Sequence, residues 1–445
     1  MKVTFYGACG EVGRSLIRVD GDPTGKKNII LDAGVKLGEE VEYPLLTKDE
    51  IKRDRINNFI ITHAHLDHAG YLPHIINRGM NIFTTKPTRD LMQLLLADYQ
   101  RLQKEKRFSS KDVNLVMSRI KQTEYRKRFT TNGFQITLHD AGHIIGSSMI
   151  RIRRGNKILL YTGDINDRES RLLSGCEMGL RAHTLIIEGT YSGKRDRLPS
   201  MKRASKELIE IIRKTLNRGG KVLIPSFAVG RGQEVLLLLN DYIRSGAIPE
   251  VPIYVDGMIK KALRIHRYNV IFAKREVQLR ILMSDEDPFK SPYFTSSVRR
   301  NRSDVIESGP CIIVTTSGML TGGPVLTYFK HLAPDPKNTL ILVGYQAEGT
   351  LGRQLLEGLD RVTLRIPDLK GRVDEVDVDV RMEIANVHLS AHADRQGLIK
   401  FINSLRGLKK IYLVHGEKRK LEEFSEYLSK RYDVIIPELG ESYKV

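Results

Sequence analysis

The stretch Thr62-His63-Ala64-His65-Leu66-Asp67-His68-Ala69-Gly70 packs four side chains able to bind metal into six residues. Before it, Ile56–Ile61 reads as a short buried strand that ends where the imidazoles begin. His63 and His65 stand two apart, so on extended backbone they project to one side and can grip one ion. Asp67 and His68 follow as the chain turns at Gly70, and adjacent residues can aim at a second ion beside the first. Imidazoles with carboxylates suit zinc, with manganese as the alternative. Without a metal the same run would be a solvated polar loop, and the matching ligands elsewhere in the chain speak against that.

Upstream, three strand-like runs alternate with turns: Val3–Tyr6, Ser15–Val19 and Asn28–Leu31. The third ends in Asp32, which either orients a ligand histidine or serves only the turn at Gly34. Gly21-Asp22-Pro23-Thr24-Gly25-Lys26-Lys27 mimics a phosphate-binding loop, but the spacing is too short and no Ser or Thr follows the lysine. Downstream, helices are expected at Leu72–Asn77, Arg89–Lys106 and Lys111–Ile120. The last two carry Arg101, Lys104, Lys106, Arg107 and Lys111, and a further basic group follows at Arg126, Lys127 and Arg128: a solvated face or the lining of a phosphate groove. His143 precedes a strand at Ser148–Arg153, and Asp164 closes a strand at Ile158–Tyr161. Alone, each would pass for a structural histidine or a turn residue. With the first cluster they supply another nitrogen ligand and a carboxylate able to bridge two ions. Glu188 ends a further strand, and two more histidine motifs appear late, at His392 and His415.

From about Ser200 the texture changes to strands alternating with helices, which predicts a mainly parallel, doubly wound α/β domain without a histidine cluster of its own. Arg299-Arg300-Asn301-Arg302 reads there as a mobile basic loop. A chain of 445 residues exceeds one core and implies two domains, one interrupting the other. The excess of 72 Lys and Arg over 53 Asp and Glu, a formal charge of +19, favours a polyanionic partner, with nucleic acid ahead of an anionic membrane surface. No apolar run approaches the roughly 18 residues of a membrane span, and the chain opens directly on a strand, so an intracellular, cytoplasmic protein is expected. Cys9, Cys176 and Cys311 are too scattered for a metal cluster or disulfide framework.

His63-x-His65-x-Asp67-His68, with Asp32 before it and His143 and Asp164 after, resembles the signature of the metallo-β-lactamase fold. Glu188, His392 and His415 resemble motifs A, B and C of its β-CASP branch of nucleic-acid-processing enzymes, as do Pro225–Arg231, Thr316–Leu320 and Gly344–Arg353. Within that branch the chain looks closest to archaeal relatives of the cleavage-and-polyadenylation endonuclease subunit, in a form lacking N-terminal KH domains; ribonuclease J is the next nearest. The resemblance implies an αββα sandwich, residues 1–194 and 387–445, interrupted by an inserted doubly wound α/β domain at 195–386. It implies two zinc ions: one on His63, His65 and His143, the other on Asp67, His68 and His415, with Asp164 bridging. Asp67 and Asp32 are implied in catalysis, His392 as the acid oriented by Glu188, and Arg231, Ser317, Arg353 and Ser390 in substrate binding. The expected activity is endonucleolytic cleavage of single-stranded RNA to a 5′-phosphate and a 3′-hydroxyl, because the branch's RNA-processing members carry histidine at motif C. A 5′-to-3′ exonuclease, a non-catalytic scaffold and a small-molecule hydrolase are the alternatives. Homodimerisation and membership of an RNA-processing or decay complex are implied by the same resemblance.

Overall fold

Alternate residues of the strands in the first half of the molecule face two different cores, and this period of two builds a pair of stacked sheets. The computed structural model describes every residue except Glu39, Lys104, 284–286, 296–301 and 368–372. Lys104 and Arg299, Arg300 and Asn301 of the basic runs therefore lie outside the described residues, whereas Arg302 opens the helix Arg302–Glu307. The chain forms two compact units. One comprises Met1–Glu169, Leu173–Arg197 and His392–Val445, the other Ser170–Leu172 and Leu198–Ala391.

The first unit holds two seven-stranded sheets. One runs Ser442–Lys444, Lys2–Phe5, Ile17–Asp20, Asn28–Leu31, Asn58–Ile60, Asn81–Thr85, Ile120–Thr123, antiparallel up to Asn28–Leu31 and parallel beyond. The other runs Asp433–Ile435, Lys410–Val414, Thr184–Glu188, Lys157–Tyr161, Ser148–Arg154, Phe134–Asp140, Arg128–Thr131. Its first four strands are parallel and the rest antiparallel. Phe5, Ile17 and Ile29 from one sheet meet Phe134, Ile136, Ile150 and Tyr412 from the other in a shared buried core. The intervening residues Leu160, Leu185, Ile187, Ile411 and Leu413 face outward, under Phe401 of helix Arg395–Ser404 and Phe424 of helix Lys418–Leu428. Each such side chain contributes about 1.5–3 kcal/mol by leaving water. On the far side, helix Lys86–Leu102 packs along Asn81–Thr85 and Ile120–Thr123, its start capped by the Thr85 hydroxyl. The layers are thus helix, sheet, sheet, helix.

The second unit is built on a six-stranded, wholly parallel sheet: Phe294–Thr295, Ile253–Val255, Ile312–Thr315, Val222–Pro225, Thr339–Leu342, Glu383–Asn386. Helices connect most of these strands, as the alternating pattern predicts. The sequence reading did not anticipate an antiparallel ribbon here. Arg361–Pro367 pairs with Val373–Asp379 as a separate antiparallel ribbon. The ribbon is held across its exposed face by Arg361 to Asp377 and Arg365 to Glu375.

A close backbone approach joins the metal-motif turn to the strand before it. Ala33 N donates to His68 O, Val35 N to Leu66 O, and Ser15 N to Asp67 O, at 2.8–2.9 Å. Gly34 sits inside this lattice, where an added Cβ would lie 1.6 Å from Asp67 O. Gly34→Ala is expected to lower stability by about 1–3 kcal/mol and to reduce bound metal, whereas Gly309→Ala, which meets nothing within 4 Å, leaves both unchanged. Urea unfolding and elemental analysis of purified protein check this.

Candidate metal centre

Tyr161, Ile186 and Tyr412 lie side by side on parallel strands, so the loops that follow Tyr161, Glu188 and Val414 start at one level. These loops, with those after Ile60 and Asp140, carry the donors. His63 Nε2 lies 3.1 Å from His65 Nδ1, and His143 Nε2 lies 3.2 Å from the same atom. Asp164 Oδ2 stands 3.5 Å from His63 Nε2 and 3.7 Å from His143 Nε2. A tetrahedral ion with bonds of 2.0–2.1 Å has its ligand atoms about 3.3 Å apart, which these spacings match. A second group forms around the other oxygen: Asp164 Oδ1 is 3.3 Å from His68 Nε2, and Asp67 Oδ2 is 3.8 Å from His68 Nε2 and 3.3 Å from His415 Nε2. Asp164 thus belongs to both groups.

The ring orientations favour lone pairs pointing inward. Asp32, wholly buried, accepts from Thr62 N at 2.7 Å, Thr62 Oγ1, Tyr161 OH at 2.8 Å and His68 Nδ1 at 2.7 Å. With its Nδ1 proton held there, His68 presents a bare Nε2. Thr62 Oγ1 gives its proton to Asp32, so it receives one from His63 Nδ1 at 3.1 Å, which bares His63 Nε2. Thr190 Oγ1, 3.3 Å from His415 Nδ1, plays the same part there; that nitrogen is also 3.5 Å from Asp164 Oδ1, but only Nε2 faces Asp67. His68 Nε2 and Asp164 Oδ1 are buried with no hydrogen-bond partner. Such orphaned atoms facing one another fit an ion held between them. Burial pushes His63 well below the usual histidine range. His68, though burial opposes it, is raised by Asp164, Asp67 and Asp32. The pocket therefore attracts positive charge, and imidazole nitrogens line it.

Beside the first group, Glu188 Oε2 lies 2.9 Å from His392 Nδ1, while Glu188 Oε1 accepts from Ile165 N at 2.7 Å. The His392 ring centroid is 4.6 Å from that of His143. Burial lowers its pKa, but Glu188 and Asp164 outweigh this and push it up to about 9. The side chain keeps 18% of its surface exposed, so it can meet a ligand.

Family models match along the chain in three places: a metallo-β-lactamase superfamily domain at residues 22–188, a β-CASP domain at 232–355, and a Zn-dependent metallo-hydrolase RNA specificity domain at 377–437. A protein of Methanothermobacter thermautotrophicus, named transcription termination factor FttA, is 38% identical over 449 residues, covering 97% of this chain and 70% of that protein. Its namesake in Thermococcus kodakarensis is 39% identical over 457 residues, with 98% and 69% covered. The chain belongs to the metallo-β-lactamase/β-CASP family. In fold, this β-CASP protein also resembles a solved Enterococcus faecalis protein of unknown function, with a TM-score of 0.59 at 14% identity over 99% of both chains.

The structure of this β-CASP protein brings together all seven expected ligands, with Asp32, Glu188 and His392 around them. Arg231, Ser317, Arg353 and Ser390 belong to the second unit. There Arg231 is buried at the start of helix Arg231–Arg244, Ser317 Oγ caps Thr321 N, and Arg353 pairs with Glu357. Thr62, Tyr161 and Thr190 were missed as orienting residues. A tyrosine or threonine buried at a strand end must place its hydroxyl somewhere, and that requirement was the available signal. Asp32→Asn is expected to weaken metal affinity about 10–100-fold, and Asp164→Ala to remove both ions; chelator competition and metal stoichiometry read these changes.

Proposed function

We propose that the chain is a zinc-dependent ribonuclease that cuts single-stranded RNA internally, leaving a 5′-phosphate and a 3′-hydroxyl, and that it serves RNA 3′-end formation or transcription termination. One observation carries the reading: a single carboxylate, Asp164, shared by two histidine-rich donor groups, with the Glu188–His392 pair beside them. The match to an RNA specificity domain, the termination-factor relatives and the +19 charge support RNA as substrate. Zinc is assigned because imidazoles and carboxylates at tetrahedral spacing suit it, with manganese as the alternative.

His63, His65 and His143 would hold one ion and Asp67, His68 and His415 the other, with Asp164 between them. When bound, two divalent ions activate water and neutralise charge building up on the phosphate. The chain's own groups supply the rest. Water attacks phosphorus opposite the leaving oxygen, the bond from phosphorus to O3′ breaks, and His392 gives O3′ its proton. Glu188 holds His392 Nδ1, which turns Nε2 toward the substrate and keeps the ring protonated. Lysine and arginine side chains give salt-dependent affinity for the RNA backbone.

His392→Ala is expected to cut the cleavage rate about 10²–10⁴-fold with RNA affinity retained, measured on end-labelled RNA and by filter binding; full activity would overturn the assignment. Circular RNA should be opened by the wild type. Mononucleotides released only from 5′-monophosphorylated linear RNA would instead establish a 5′ exonuclease. Because His392 must be protonated to act, removing the anion that holds its proton lets it titrate at lower pH. Glu188→Gln should therefore move the alkaline limb of the rate profile to lower pH, as rates across a pH series would record.

A further inference from the structure

The outer face of the second sheet is only half covered. Helices Arg395–Ser404 and Lys418–Leu428 close over Leu160 and Leu185, in a cluster that also takes in Met149 of the next strand. Along one row across the sheet, Leu160 is opposite Arg151, Arg151 opposite Thr137, and Thr137 opposite Arg128. Opposed residues share a face, so beyond Leu160 the row continues as arginine, threonine, arginine. Arg181 and Arg406, bridged backbone to backbone, bring two more guanidinium groups to the same place. With Arg126 and His139 they line a cavity of about 340 Å³, near the lower size of small-ligand clefts.

Charge in this cavity is unbalanced. Arg126 pairs with Glu177 at 3.0 Å, but among the described residues no carboxylate lies within ion-pair distance of Arg128, Arg151, Arg181 or Arg406. Two of these are held in place through one nitrogen: Arg151 Nε donates to Arg181 O and Arg406 Nε to Gly179 O, both at 3.1 Å. At the base, His139 is nine-tenths buried, and its Nε2 is enclosed without a hydrogen-bond partner; Nδ1 faces Glu177 at 3.2 Å. Burial, then Arg153, Arg128 and Arg181, lower the pKa of Arg151, the signature of converging cations. Apart from His139 the lining holds no ring on which a base could stack. Such a lining suits a phosphate better than a base.

We propose that this arginine cavity is an RNA exosite, holding phosphodiesters of the bound strand away from the donor groups, with which it shares no residue. The proposal rests on RNA being the ligand of the protein. Guanidinium forks match phosphate oxygens two at a time, and each neutralised phosphate on a single strand adds about 0.7 to the salt slope.

The test is fluorescence anisotropy of labelled single-stranded RNA with the full chain in chelator, across a salt series. R128A/R151A is expected to bind about tenfold more weakly at low salt, with the slope of log affinity against log salt shallower by about 1.4, two phosphates' worth. R128A alone, at an exposed position, should give about half the slope change. R53A/R101A removes the same charge from arginines that already have acidic partners, and should change the slope far less. Wild-type RNA binding that R128A and R128A/R151A share unchanged would overturn the exosite alone. Failure of the wild type to bind RNA would overturn the ribonuclease reading and the exosite with it. Saturable binding of inorganic phosphate, lost in R128A/R151A with RNA affinity unaltered, would make the cavity a free-anion site and overturn the proposal.

Discussion

Two of the histidines at the candidate metal centre take their orientation from the carboxylate of Asp32. It takes protons from a backbone amide, two hydroxyls and an imidazole, and none of its own surface reaches water. A buried carboxylate with fewer donors would be destabilising. With this many it becomes the fixed point from which His68 and, through Thr62, His63 take their orientations. The backbone lattice from Ser15 to His68 holds the same turn from the other side. Ring direction is therefore set by the apoprotein, so an entering ion finds its lone pairs already aimed.

Residue type and spacing made the candidate donor groups legible. Histidines two apart after a strand, then Asp-His, have few uses besides metal binding, and strand-end carboxylates such as Asp164 and Glu188 stand where parallel strands deliver their loops. Part of the fold class was legible as well: helix–strand alternation after Ser200 builds the parallel sheet, whereas the αββα sandwich came from the family resemblance. The family resemblance supplied the expected roles of Glu188, His392 and His415, which no spacing rule reaches across so long a chain.

What stayed illegible depends on contacts between distant segments. Tyr161 and Asp32 are 129 residues apart, so the hydroxyl's partner exists only once the two sheets stack. The ribbon strand Arg361–Pro367 alternates Val362, Leu364 and Ile366 with polar residues, but its charges hid the pattern until Asp377 and Glu375 came opposite. The arginine row was hidden likewise, since Arg128 and Arg151 come to flank Thr137 only through strand register.

His415 and Asp67 face each other across 348 residues of sequence. A ribosome must pass His415 before the second donor group is complete. Until then, the first-made segments carry most of the imidazoles without a finished centre.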